Sequence, residues 1–250
     1  MTSLDESVSG TLLEVIVSSV EDARAAWDGG AHRAEVVARL DEDGLTPALV
    51  LVETMLATVS LPLRVMVRPS NVFTVTDPAE RAAIVADAAQ WADLPIDGIV
   101  TGYVAADGTV DEDLLRDVAE ASGHRVTFHR AIERVTTGDA IAALRRQPRV
   151  DRILSGGGDG SWHDRAARLE ALQIAASPMV LISGGGVDAE AVDLLAASPV
   201  LREVHVGRTV RVGRRVEGAV DADEVRRMLT RIARAGSVRS RTAPSAPRSR

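Results

Sequence analysis

A chain of 250 residues, 46% hydrophobic and 26% charged, can bury the core of one domain, and its net charge of -7 argues against a nucleic-acid binder, which needs a basic surface. With no cysteine it has no disulfide, thiolate ligand or cysteine nucleophile, and because all 29 cationic residues are arginine, lysine Schiff-base and lysine general-base chemistry are excluded too. No run of ~18 apolar residues occurs and the start MTSLDESVSG is polar, so neither a membrane span nor a signal peptide is read, and a cytoplasmic location is expected.

Short β-branched runs alternate with longer Ala-rich amphipathic stretches, the pattern of βα units around a parallel sheet. The first run, Leu12 to Val17, leads into Ser18-Ser19 with Glu21 and Asp22, a helix start, and Gly29-Gly30 closes that helix. The next are Ala34 to Val37 and Leu63 to Val67, the latter followed by the helix start Asp77-Pro78 with Glu80. Gly98 to Thr101 precedes a helix opened by Asp111 and Glu112. Arg125 to His129, Val150 to Leu154, Pro178 to Ile182 and Glu203 to Val206 complete the series. A spacing of roughly 25 residues is a strand, a loop and a crossover helix. Eight such units close a barrel, so the expected fold is α/β, a single-domain (β/α)8 TIM barrel with a parallel eight-stranded sheet; an open flavodoxin-like sheet is the alternative. The barrel is expected over residues 11–235. Residues 1–10 and the basic tail 236–250, GSVRSRTAPSAPRSR, lack apolar periodicity and read as disordered.

In such a barrel the carboxyl ends of the strands form the open rim, so polar residues there are the candidate site. Glu14 and Glu35 lie within the first two strands. Arg68, Thr101, His129 with Arg130, Ser155 and Ser183 stand at the ends of strands three to seven, and His205 lies in the eighth. A carboxylate inside a barrel needs a partner, and Arg68 and Arg130 are the expected ones. The catalytic reading makes Glu14 or Glu35 a general base with a raised pKa and His129 a general acid or second base, with Arg130 beside them. Arg68, Thr101, Ser155, Ser183 and His205 then bind an anionic substrate. The alternative is a buried charge network that only shapes the cavity. Two segments, LSGGGDG from Leu154 and ISGGGV from Ile182, place a glycine turn after a strand; in the second, Gly184, Gly185 and Gly186 precede a helix opened by Asp188 and form the expected anion cradle, the alternative being a tight strand-to-helix turn that binds nothing. The five histidines, His32, His124, His129, His163 and His205, show no HxH or HExxH spacing. Holding a divalent ion would need His129, His205 and Glu35 brought together, and no metal ligand is assigned.

The runs LLEVIVSS, GGAHRAEVVARLDEDGLTPAL, VMVRPS, GIVTGYVAADGTVD, VTFHRAIE, RILSGGG, LISGGGV and EVHVG resemble, in order and spacing, the CutC copper-homeostasis family, over roughly Leu12 to Val206. The resemblance implies a (β/α)8 barrel, a cavity lined at Glu14, Glu35, Arg68, Thr101, His129, Arg130, Ser155 and His205, and a role in copper tolerance with Cu(I) held by cysteines of strands one and two. Here those positions fall at Val15 to Val17 and Val37, all apolar, and the family's RPRGGDF stretch is replaced by the shorter RPSNVF. Copper is therefore implied by the resemblance alone. The residues themselves point to a cofactor-independent acid-base enzyme of lyase or isomerase type acting on a small anionic or phosphorylated metabolite. A non-catalytic binding barrel is the remaining alternative. The expected partners are a small anionic ligand and, in a homodimer, a second copy of the chain, with neither nucleic acid nor membrane.

Overall fold

The computed structural model describes residues 10–242. Eight parallel strands close a barrel in sequence order: β1 (Leu12–Val17), β2 (Arg33–Val36), β3 (Leu63–Met66), β4 (Gly98–Thr101), β5 (Val126–Phe128), β6 (Val150–Ser155), β7 (Val180–Ser183) and β8 (Glu203–Val206), with β8 hydrogen-bonded back to β1. Helices follow each strand: α1 (Val20–Asp28), α2 (Leu49–Thr58), α3 (Pro78–Ala89), α4 (Glu112–Ser122), α5 (Ala140–Arg145), α6 (Trp162–Ala176), α7 (Ala189–Ala197) and α8 (Ala222–Thr242). All eight expected runs are strands, three with the expected ends and five shifted by one or two residues. The closed sheet excludes the open flavodoxin-like alternative.

Local sequence explains the helix starts. Ser19 accepts a hydrogen bond from the Asp22 N–H at 3.1 Å, Asp77 from Ala79 and Glu80, Asp111 from Leu114, and Asp188 from Ala191. Gly30, at φ 90°, turns the chain from α1 toward β2. At the other end of the chain α8 runs through Gly236 to Thr242, so residues 236–242 are helical and not disordered as expected; residues 1–9 and 243–250 lie outside the described residues. Among the described residues no helix is long and apolar enough to cross a membrane.

Strand alternation sorts side chains into two worlds. Leu13, Val15, Val36, Val65, Ile99, Phe128, Ile153, Leu181 and Val204 face the helices and form the main apolar layer. The barrel interior is different. Its floor is a ladder of ions: Arg33 bridges Glu14 and Glu203, Arg152 joins Glu203 to Asp151, and Arg64 reaches Asp151, Asp97 and the Thr127 hydroxyl. A Cβ on Gly98 would lie 3.2 Å from the Arg64 guanidinium carbon, so glycine makes the room that this side chain fills. Above the floor Val37, Met66 and Val100 form a small apolar layer with Ile16 and Leu40. The site sits on top of it.

Candidate functional site

A cavity of about 430 Å³ opens at the carboxyl ends of the strands. Glu35 from β2, His129 after β5 and His205 from β8 line it, along with four arginines, Arg68, Arg130, Arg134 and Arg208. The only other charged lining groups among the described residues are Asp43 and Glu133, which leaves the cavity cationic inside an acidic protein.

Glu14, His205 and Glu35 stand in one line. The His205 Nδ1 lies 2.7 Å from Glu14 Oε1, and its Nε2 lies 3.6 Å from Glu35 Oε2. Register dictates this: Glu14 pairs with His205 across β1 and β8 and with Arg33 across β1 and β2. Burial would raise the Glu14 carboxyl, but the Arg33 cation and the His205 contact outweigh it and hold the group well below the usual carboxylate range. Glu14 is therefore a fixed anion. Burial acts on His205 in the opposite sense, toward neutrality, yet the Glu35 and Glu14 carboxylates offset it and raise its pKa. Glu35 has no such clamp. Burial pushes its carboxyl up to about 7, His205 pulling the other way, and among the described residues it makes no hydrogen bond of its own. A carboxyl that titrates near neutrality on a cavity wall can take and return a proton.

His129 differs in kind from His205. Its Nδ1 accepts from the Ala131 N–H at 3.2 Å, which puts the ring proton on Nε2, and that atom is buried without a partner. Burial and the nearby Arg68 cation depress its pKa to about 3. The expected role of general acid or second base does not fit a ring that stays neutral; what His129 offers is an unused N–H. Arg68 is held by the Asp43 and Gly44 carbonyls and by Asn71 Oδ1 at 2.7 Å, and its guanidinium lies 4.9 Å from the Phe73 ring centre. Its Nε is likewise buried and unpartnered. The Phe73 ring meets His129 edge-on at 5.5 Å, so the RPSNVF segment positions both donors.

The remaining expected residues divide. Arg68 and Arg130 are not the partners of Glu14 and Glu35: Arg33 takes Glu14, while Arg130 sits on a short 3-10 turn, Arg130–Arg134, half exposed and paired with Glu133 at 2.7 Å. Glu14 lies beneath His205 and does not line the cavity. Thr101 and Ser183 point away from it; the Thr101 hydroxyl donates to the Val67 carbonyl at 2.9 Å, and Ser183 Oγ is buried with no partner. Ser155 is spent locally, donating to Glu133 and accepting from the Gly157 N–H. Gly184 is tied by its N–H to the Ser155 carbonyl, whereas Gly185 and Gly186 do reach the cavity. Reading strand ends alone missed Arg33, Asn71, Phe73, Glu133 and Arg208. Arg33 stood one inward position below Glu35 in the same strand, a signal that strand alternation supplies; Glu133 and Arg208 follow strands five and eight in loops, where no period marks them.

The donor set does not suit Cu(I). Among the described residues, soft sulfur on the cavity wall is limited to the Met66 thioether. The lone pair of His129 is taken by the Ala131 N–H, and the His205 ring is engaged through Nδ1 by the Glu14 carboxylate at 2.7 Å. Among the described residues no three His, Asp or Glu side chains are grouped to hold a metal ion.

Comparison with known proteins agrees with this architecture. The profile of the CutC family matches residues 11–210. A family protein CutC of Mesorhizobium japonicum is 34% identical over 197 residues, covering 78% of this chain and 76% of the relative, and one of Xanthomonas campestris is 35% identical over 197 residues, covering 77% and 81%. Among solved structures, a CutC of Streptococcus agalactiae assigned to copper homeostasis superposes with a TM-score of 0.70 at 21% identity, over 79% of this chain and 98% of that one. A tryptophan synthase alpha subunit of Legionella pneumophila superposes at 0.60 and 13% identity, over 91% and 93%, a likeness of fold alone. The chain belongs to the CutC family.

Proposed function

We propose that this chain serves the copper-homeostasis role attached to its family without holding Cu(I), as a cofactor-independent acid-base enzyme acting on a small anionic metabolite in the cytoplasm. The observation that carries the reading is Glu35, a buried cavity carboxyl raised to about 7 and free of hydrogen bonds among the described residues. In this reading Glu35 removes a proton from the substrate and returns it to a neighbouring atom. His129 Nε2–H and Arg68 Nε–H donate to the oxygen on which negative charge develops, at no cost of reorganisation because both are already in place. Glu14, kept ionised by Arg33, raises the pKa of His205 and holds its ring beside Glu35. The chemistry is of lyase or isomerase type and calls for no redox or metal step.

A thermal-shift screen of the purified protein against small anionic metabolites tests this. At least one compound is expected to raise the melting temperature of the wild type and of Glu35→Gln alike, and to be converted by the wild type alone. No stabilisation across a broad panel would refute the reading. In parallel, titration with Cu(I) under reducing conditions is expected to show no stoichiometric binding; a tight site that weakens in His129→Ala or His205→Ala would restore direct copper binding.

A further inference from the structure

The turns after β6 and β7 share the sequence Ser-Gly-Gly-Gly but stand in opposite states. The first is already occupied by a carboxylate of the chain itself: Glu133 accepts from the Gly156 N–H at 2.5 Å and from the Ser155 hydroxyl, and Arg130 closes over its other oxygen at 2.7 Å. The second is open. Gly185 and Gly186 take φ of 77° and 82°, and their N–H groups, like that of Gly207 on the next loop, donate to no backbone or side-chain group among the described residues. The Arg130 guanidinium carbon lies 3.6 Å from where a Cβ on Gly185 would stand and the Arg208 Nη2 3.6 Å from one on Gly186, so both cations reach the turn, whose positive φ at both positions favours glycine. The Arg208 guanidinium has no hydrogen bond or ion pair among the described residues, its backbone carbonyl alone accepting from the Arg211 N–H. Arg165 braces the turn from behind, donating to the Gly184 and Gly185 carbonyls at 3.2 and 2.8 Å and lying 3.5 Å over the Trp162 ring. Across the cavity are the two unpartnered donors, His129 Nε2 and Arg68 Nε, on side chains only 4% exposed.

We propose that the rim formed by Gly185, Gly186, Gly207, Arg130 and Arg208 is a phosphate subsite, and that the substrate is a small phosphate monoester whose other end lies between Glu35, His129 and Arg68. This assignment rests on the acid-base reading and gives it a substrate class. The occupied first turn shows how the same backbone holds an anion: one oxygen on a glycine N–H, another on Arg130. The Ser155 hydroxyl adds a further contact to the first of those oxygens. The second turn presents more donors than two oxygens can satisfy, and the three free oxygens of a phosphate match them. A cavity of about 430 Å³ is in the size range of small-metabolite pockets and leaves room for a short carbon skeleton beyond the phosphate.

Calorimetric titration of the full chain with inorganic phosphate tests the subsite. Saturable binding is expected at a single site, weakened by about tenfold in Arg208→Ala and in Arg130→Ala, the loss of one charge-assisted contact each. Arg168→Ala is expected to bind as the wild type does, because that guanidinium serves the Gly157 and Asp159 carbonyls on the first turn. No saturable binding by the wild type, or an equal loss in Arg168→Ala, overturns the subsite. Titration of the Glu35 carboxyl in phosphate-free protein separates the two ideas. Phosphate binding with Glu35 titrating near 4.5 sinks the acid-base reading and leaves the subsite standing; a carboxyl near 7 without phosphate binding overturns the subsite alone.

Discussion

Replacing Glu35 by glutamine is expected to stabilise the protein, and only at higher pH. Burial raises the Glu35 carboxyl from its ordinary 4.5 to about 7, so between those values the folded chain binds a proton that the unfolded chain has released. Stability contributed by that proton is complete below 4.5, falls as pH rises through the window, and is gone above 7. At about 1.4 kcal/mol per pH unit the full cost of ionising the buried group is about 3 kcal/mol. Glutamine keeps the shape and has no charge to bury. Wild type and variant should therefore unfold at similar denaturant concentrations at pH 4.5 and diverge progressively to pH 8, where the variant leads by about 3 kcal/mol, or about 10 °C in melting temperature for a chain of this size. Glu14 still holds the His205 ring in the variant. The assay is urea unfolding followed by circular dichroism at half-unit steps of pH. Parallel profiles with a constant offset, or a variant that is weaker at pH 8, would show that Glu35 is not held near neutrality and would remove the basis of the proposed chemistry.

Two further outcomes follow from the same geometry. Glu14→Gln leaves Arg33 and His205 without their shared carboxylate; breaking a buried pair costs about 3–5 kcal/mol, and because Arg33 keeps Glu203 the lower end is expected, read as a fall in the urea midpoint at pH 7. An unchanged midpoint would mean that Glu14 is not the anchor of the ladder. The His129 ring should remain neutral down to about pH 4, its pKa lying near 3, so its NMR carbon shifts should stay flat from pH 8 to 4; an inflection near 6.5 would contradict the buried Nε2–H donor.

The strands were legible because each is a β-branched run between glycine, proline and acidic punctuation, and the inward set Glu14, Glu35 and His205 followed from alternation within them. Partnerships were not legible. That Glu14 meets Arg33 on one side and His205 on the other depends on the register of β1 with β2 and on the closure of β8 onto β1, which joins residues 191 positions apart. Thr101 and Ser183 were read as rim groups because they end strands, but strand ends face alternately in and out, and these two face the helix layer. The two glycine turns look alike in sequence; only the arrival of Glu133 from a neighbouring loop makes one full and the other vacant. His129 was found by position, while its role was hidden in a backbone contact two residues away.

The ionic floor gives the lysine-free composition a structural meaning at one place. Arg64, fully buried, meets Asp97, Thr127 and both oxygens of Asp151 at once, at 2.7 to 2.8 Å, through three differently directed nitrogens of one plane. An ammonium is a point and cannot reach three walls of a barrel together. Whatever drift of base composition favoured arginine across this chain, reversal at position 64 would strand carboxylates at the base of the fold, so the bias is locked in where the barrel closes on itself.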